Sequence, residues 1–134
     1  MDLRKLMVDT KSAWIPFPEG EGFEVEVASI ARKELTKMRK GCTTTKFDRK
    51  NRSVPVEQID EDKFIELFTE KTVLNWKGLT LGFLSTLMLI NTKDHDLSTE
   101  VEFSPETAIL LVKSSMEFDN WLNEVVFDLD NFRS

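Results

Sequence analysis

Asp94, His95 and Asp96 are the residues in this chain best equipped for chemistry: "KDHDL" sets two carboxylates beside the sole imidazole. Oxygen and nitrogen donors of this kind can hold a metal, and a Ser-His-Asp or Cys-His arrangement would have to use this histidine. Such spacing also arises easily by chance, and the reading taken is a solvated loop histidine. Cys42 is the only cysteine, which excludes an internal disulfide and a Cys-based zinc cluster and fits a reducing cytoplasm; it reads as a loop thiol. Asp60, Glu61 and Asp62 form an acidic triplet, but acids in a first helical turn are explained by the helix dipole. The sequence has neither a phosphate-cradling glycine loop nor a dinucleotide fingerprint. The expectation is a protein that is no enzyme, with no catalytic residue, cofactor or metal.

The elements around these residues set the remaining expectations. A chain of 134 residues, 40% hydrophobic and 31% charged, is the size and composition of one soluble domain, taken to span 1–134. The N-terminal "MDLRKLMVDT" mixes charge into every turn and lacks the apolar core of a signal peptide. The longest apolar-rich run, "LTLGFLSTLMLI" at 79–90, falls short of the roughly 20 residues that span a bilayer. No membrane role is expected.

Net charge is −6, yet the signs are unevenly spread. Residues 29–52 hold nine lysines and arginines against two acids, a net of +7, whereas 94–134 hold two against ten, a net of −8. A chain with two such ends favours docking to a second copy or to a partner of complementary charge. The alternative is a solvated basic helix face beside an acidic helix. Nucleic acid is not expected as a partner, since the chain is acidic overall and no aromatic or glycine pattern of an RNA-binding module accompanies the basic segment.

The fold class expected is α+β, mainly helical, with an N-terminal β-hairpin at about 13–28. Its first piece runs from Trp14 to Phe17. Its second alternates Phe23, Val25 and Val27 with Glu24 and Glu26, the period of a strand with one buried face. A helix at about 29–40 follows, with Ser29 as cap, a thin stripe of Ala31, Leu35 and Met38, and Gly41 as stop. "CTTTKFDRKNRSVPVEQ" is polar, aperiodic and interrupted by proline, and reads as a loop. The next helix, about 60–76, is capped by Asp60, with Ile59 and Phe64 at the spacing of a hydrophobic staple. Phe64, Leu67 and Phe68 lie on its core side, Trp76 falls at its C-terminal end, and Gly78 supplies the turn. The apolar run after it is left undecided between helix and strand. A last helix at about 105–131 starts at "SPET", with Ser104 as cap and Pro105 in the first turn, and is subject to a break at "SS" or "DN". Its stripe is Phe118, Trp121, Leu122, Val125, Leu129 and Phe132.

Order and spacing then resemble a known family. "AWIPFPEGEGFEVEVASIAR", the basic helix, "IDEDKFIELFTEKTVLNW", the "WKG" corner, the "SPET" start and the closing "NWLNEVVFDLDNFRS" together resemble the tail assembly chaperones of long-tailed, siphophage-type bacteriophages. The stretch 79–103 departs from the pattern, being longer and more apolar than the short glycine-bearing turn usual in the family. The resemblance implies a non-enzymatic protein of the host bacterial cytoplasm, absent from the mature virion. Such a protein coats and solubilises the tape measure protein and helps recruit tail tube protein. It also implies self-association and a longer form made by ribosomal frameshifting. The partner surface is expected on Arg32, Lys33, Lys37, Arg39 and Lys40 and on the acidic C-terminal helix with Glu124, Asp128 and Asp130. Trp14, Phe64, Phe68, Trp76, Gly78 and Trp121 are expected to be structural. The alternatives are a structural virion component, such as a tail terminator or connector subunit, and a small regulatory adaptor or antitoxin.

Overall fold

The computed structural model describes residues 2–8, 10–47 and 55–133. It is α+β, as the sequence predicts. β1 (Ser12–Pro16) and β2 (Glu24–Ala28) form the antiparallel N-terminal hairpin, with Trp14 opposite Glu26 and Pro16 opposite Glu24. The turn between them closes through the Phe17 amide, which donates to the Phe23 carbonyl at 2.9 Å. Gly22 takes φ +82 there, a region open to glycine at little cost.

α2 (Glu61–Thr72) starts where expected, with the Asp60 carboxylate accepting from the Lys63 amide at 3.1 Å. It does not run to residue 76. It stops at Thr72, and Val73–Lys77 forms β5, the third strand of a sheet ordered β1, β2, β5. The β-branched Val73 turns extended, and the backbone of "VLNWK" finds partners on the free edge of β2, with Trp76 opposite Val25 and Lys77 opposite Glu24. Tertiary pairing thus overrides the helical periodicity that continues through this segment. A register irregularity between Glu26 and Val27 brings Val73 and Trp76 both to the buried face while Leu74 and Lys77 stay outside.

α1 is Arg32–Gly41, shorter at its start than the expected 29–40. Ser29 does not cap it. The Ser29 hydroxyl accepts from the Lys11 amide at 3.0 Å, and Ala31 holds the cap position with no side-chain bond. Gly41 is the last helical residue rather than a left-handed stop, and Cys42, expected in a loop, is buried at the helix end. The expected loop after it is a second hairpin, β3 (Thr43–Phe47) with β4 (Pro55–Ile59). Three consecutive threonines suit a strand, and a proline is tolerated at a strand's first residue, so polarity misread this segment. Residues 48–54, including Arg49, Lys50 and Arg52 of the basic segment, lie outside the described residues.

The undecided apolar run contains α3 (Leu81–Leu87), capped by Thr80. The C-terminal helix is two helices, α4 (Pro105–Ser114) and α5 (Met116–Phe127), broken at the "SS" pair. Ser115 is extended, with φ −121 and ψ 107, and its hydroxyl accepts from the Phe118 amide at 3.1 Å, so one residue ends α4 and caps α5. A 3₁₀ turn, Leu129–Phe132, follows. Five α-helices are therefore seen among the described residues.

The core lies between the sheet and α2, α4 and α5. Val25, Val27, Val73 and Trp76 face inward from the sheet against Phe68, Leu111, Phe118, Trp121 and Leu122. Phe17 is its aromatic hub, edge-on to Trp121 at 4.9 Å between ring centroids and stacked on Phe118 at 5.8 Å. Offset and edge-to-face geometries of this kind suit the ring quadrupoles.

Candidate functional site

Asp94, His95 and Asp96 sit on an exposed turn after α3, where Asp94 takes φ +68. Asp96 accepts from the amide and hydroxyl of Ser98, and these bonds hold its carboxyl below the ordinary value. Among the described residues, no group of three or more His, Cys, Asp or Glu side chains could hold a metal ion. The charged surfaces are what distinguish the molecule.

α1 carries five cations and one acid in ten residues. Its inner side, with Leu35 and Met38, packs on α2. Two contacts fix the seam. The Glu34 carboxylate meets the Lys71 ammonium at 3.7 Å, and the Arg39 guanidinium lies 5.8 Å above the Phe64 ring. Because the acid of α1 is engaged by Lys71, the outer ridge of Arg32, Lys33, Lys37 and Lys40 is left cationic; none of these four pairs with a carboxylate among the described residues. A cleft runs along the seam. It consists of two adjoining hollows, one lined by Ile30 and Lys33 and the other by Met38 and Leu67, with Glu34, Lys37 and Lys71 lining both.

α2 separates this ridge from the acidic C-terminus. A row of rings crosses it: Phe64 stacks on Phe68 at 6.0 Å and Phe68 on Phe127 at 6.1 Å. Phe68 is buried and Phe64 half-buried, while Phe127, the last residue of α5, is 51% exposed. Glu124 lies one turn before Phe127 on the same exposed edge of α5, and "FDLD" at 127–130 then alternates apolar and acidic residues, with Leu129 66% exposed. Asp128 caps the 3₁₀ turn through the Asp130 amide, and Asp130 pairs with Arg133. Glu117 and Glu124 meet no cation among the described residues.

The fold explains these placements. Periodicity puts Phe118, Trp121, Leu122 and Val126 of α5 inward, so the acids and Phe127 face out. Phe68, Trp76 and Trp121 are buried, and Gly78 turns at φ +76. Trp14, expected among the structural residues, is instead 41% exposed on the outer face of the sheet. There the Lys77 ammonium lies 4.8 Å from its ring and 3.2 Å from the Glu24 carboxylate. Alternation along β1 packs Ala13 and Ile15 inward and leaves Trp14 outside. Sequence reasoning placed Leu129 on the apolar stripe of the last helix, but α5 ends at Phe127 and Leu129 is exposed beyond it; it did not single out Phe127, which lies off that stripe and faces out by the helical period.

No protein-family model, no curated protein and no solved structure matches this chain.

Proposed function

We propose that this protein is a non-enzymatic tail assembly chaperone of a long-tailed bacteriophage, acting in the host bacterial cytoplasm and absent from the finished particle. Its client is the tape measure protein, an extended and largely helical chain, and it helps bring tail tube subunits to that chain. The observation that carries the reading is the charge arrangement. Arg32, Lys33, Lys37 and Lys40 on α1 and the acids Glu117 and Glu124 on α5 pair with no opposite charge among the described residues, so both are surfaces to be neutralised by another molecule. The resemblance in order and spacing, from "AWIPFPEGEGFEVEVASIAR" to "NWLNEVVFDLDNFRS", supplies the class of partner.

Arg32, Lys33, Lys37, Arg39 and Lys40 and the acids Glu124, Asp128 and Asp130 form the partner surface, and Phe68, Trp76 and Trp121 hold the fold. Weak contacts repeated along one extended client give high overall avidity without any strong single site.

The test is co-expression with the tape measure protein of the same genome, followed by size-exclusion chromatography with light scattering on the soluble fraction. The chaperone reading expects a client that is soluble only in the presence of this chain and elutes with many copies of it. A client that precipitates regardless, both with this chain and with any frameshifted longer form of it, overturns the reading. Recovery of the protein in purified particles would favour a tail terminator or connector subunit.

A further inference from the structure

We infer that the acidic segment Glu124 to Asp130 of one copy docks in the α1/α2 cleft of a second copy. Three observations converge on this occupant. First, the seam is amphipathic: of its two adjoining hollows one is lined by Ile30 with Lys33 and the other by Met38 and Leu67, both share Lys37, Lys71 and Glu34, and with Glu34 taken up by Lys71 the ammonium groups of Lys33 and Lys37 are left to meet an acid. Second, "FDLD" at 127–130 has the matching pattern, with Phe127 and Leu129 both more than half exposed beside Asp128, and Glu124 one turn back. Third, the charges are opposite in sign and comparable in number. α1 brings five cations against Glu34, and 116–133 bring five acids against Arg133. Within one chain the two surfaces lie on different elements with α2 between them, and among the described residues no ion pair joins α1 to α5.

The contact is heterologous, since the patch that docks differs from the patch that receives it, and each bound copy still offers a cleft and a tail. Burying Phe127 and Leu129 supplies the apolar gain, while the lysine rim fixes the register and excludes a basic segment. The inference adds to the chaperone reading the surface through which copies meet, and it does not depend on the client: a monomer could still solubilise the tape measure protein, and an assembling protein could fail to.

The test is a charge swap read by sedimentation equilibrium over a range of concentrations at low ionic strength. One variant carries Lys33→Glu with Lys37→Glu, the other Glu124→Lys with Asp130→Lys, and thermal melts establish that both fold. The parent is expected to associate with a mass that rises with concentration, and each variant alone to associate about tenfold more weakly or less. An equal mixture of the two should recover parental association, because the reversed cleft then faces a reversed tail and the native pair is retained. A parent that stays monomeric overturns the inference. So does association that survives both reversals, or variants that stay apart when mixed.

Discussion

The indole N–H of Trp76 donates to the carbonyl oxygen of Val101 at 2.8 Å, joining the strand β5 to the segment that leads into α4 across 25 positions of sequence. Trp76 is 5% exposed, edge-on to Phe103 at 5.1 Å between centroids and to Phe23 at 6.3 Å. One side chain therefore ties the sheet to the C-terminal helices by burial and by a directed bond. That is why a tryptophan precedes the Lys-Gly corner.

Trp76→Ala should cost about 3 to 5 kcal/mol through the cavity it leaves. Trp76→Phe keeps most of the burial but orphans the Val101 carbonyl, and a smaller loss of about 1 to 3 kcal/mol is expected. Urea unfolding monitored by circular dichroism would rank the two. A Trp76→Ala protein that unfolds like the parent yet fails to bind its partners would move this residue from the fold to the binding surface.

Gly78→Ala should be the more damaging of two glycine replacements. A Cβ at Gly78 would run into the carbonyl of Gly22, and φ +76 disfavours any L side chain by about 1 to 2 kcal/mol before that collision is counted. Gly22 has a similar φ, +82, but open space around its missing side chain, so Gly22→Ala should show the conformational cost alone. Melting temperatures of the two variants, side by side, would reverse this order only if the corner relaxes.

Ser115→Ala should destabilise the protein by about 0.5 to 2 kcal/mol, because the buried hydroxyl is the cap of α5 at the point where α4 stops. Hydrogen exchange should then rise first at the amides of the opening turn of α5, among them Phe118, whose donor loses its acceptor. Uniform exchange across the whole molecule would count against a local capping role.

Stability should fall at alkaline pH partly through Lys113. Its ammonium donates to Glu66 at 2.9 Å and stands 3.8 Å from Asp62, and the hydrogen bond to Glu66 is the main cause that raises it above its ordinary 10.5. A group raised in the folded state stabilises fully below its unfolded value and loses that contribution as pH rises through the folded one. Lys113→Met should therefore flatten the alkaline limb of a melting-temperature profile and leave the region near neutral pH parallel to the parent. Asp96 has the opposite sign. The bonds from Ser98 lower its value, so its contribution is present above the ordinary 3.8 and is lost as pH falls through the lowered one.

Local chemistry by itself determined the features that depend on residues near one another in the chain. Asp60 and Ser104 cap helices because a side-chain oxygen three residues ahead of an amide can reach it whatever else the chain does. Gly78 turns, and Phe23, Val25 and Val27 face the core, for equally local reasons. The separation of positive from negative charge was legible too, being a property of composition. Tertiary structure decided the rest. Residues 73–77 carry a helical period, but the open edge of β2 offers hydrogen bonds that a helix end cannot match, so they become a strand. Trp14 is outside and Phe17 inside because the sheet has one covered face; Ser115 divides the C-terminal helix in two, and the end of α5 at Asp128 leaves Leu129 at the surface. Which hydrophobic residues are left over for a partner depends on how the others pack, and packing is settled only among elements far apart in sequence.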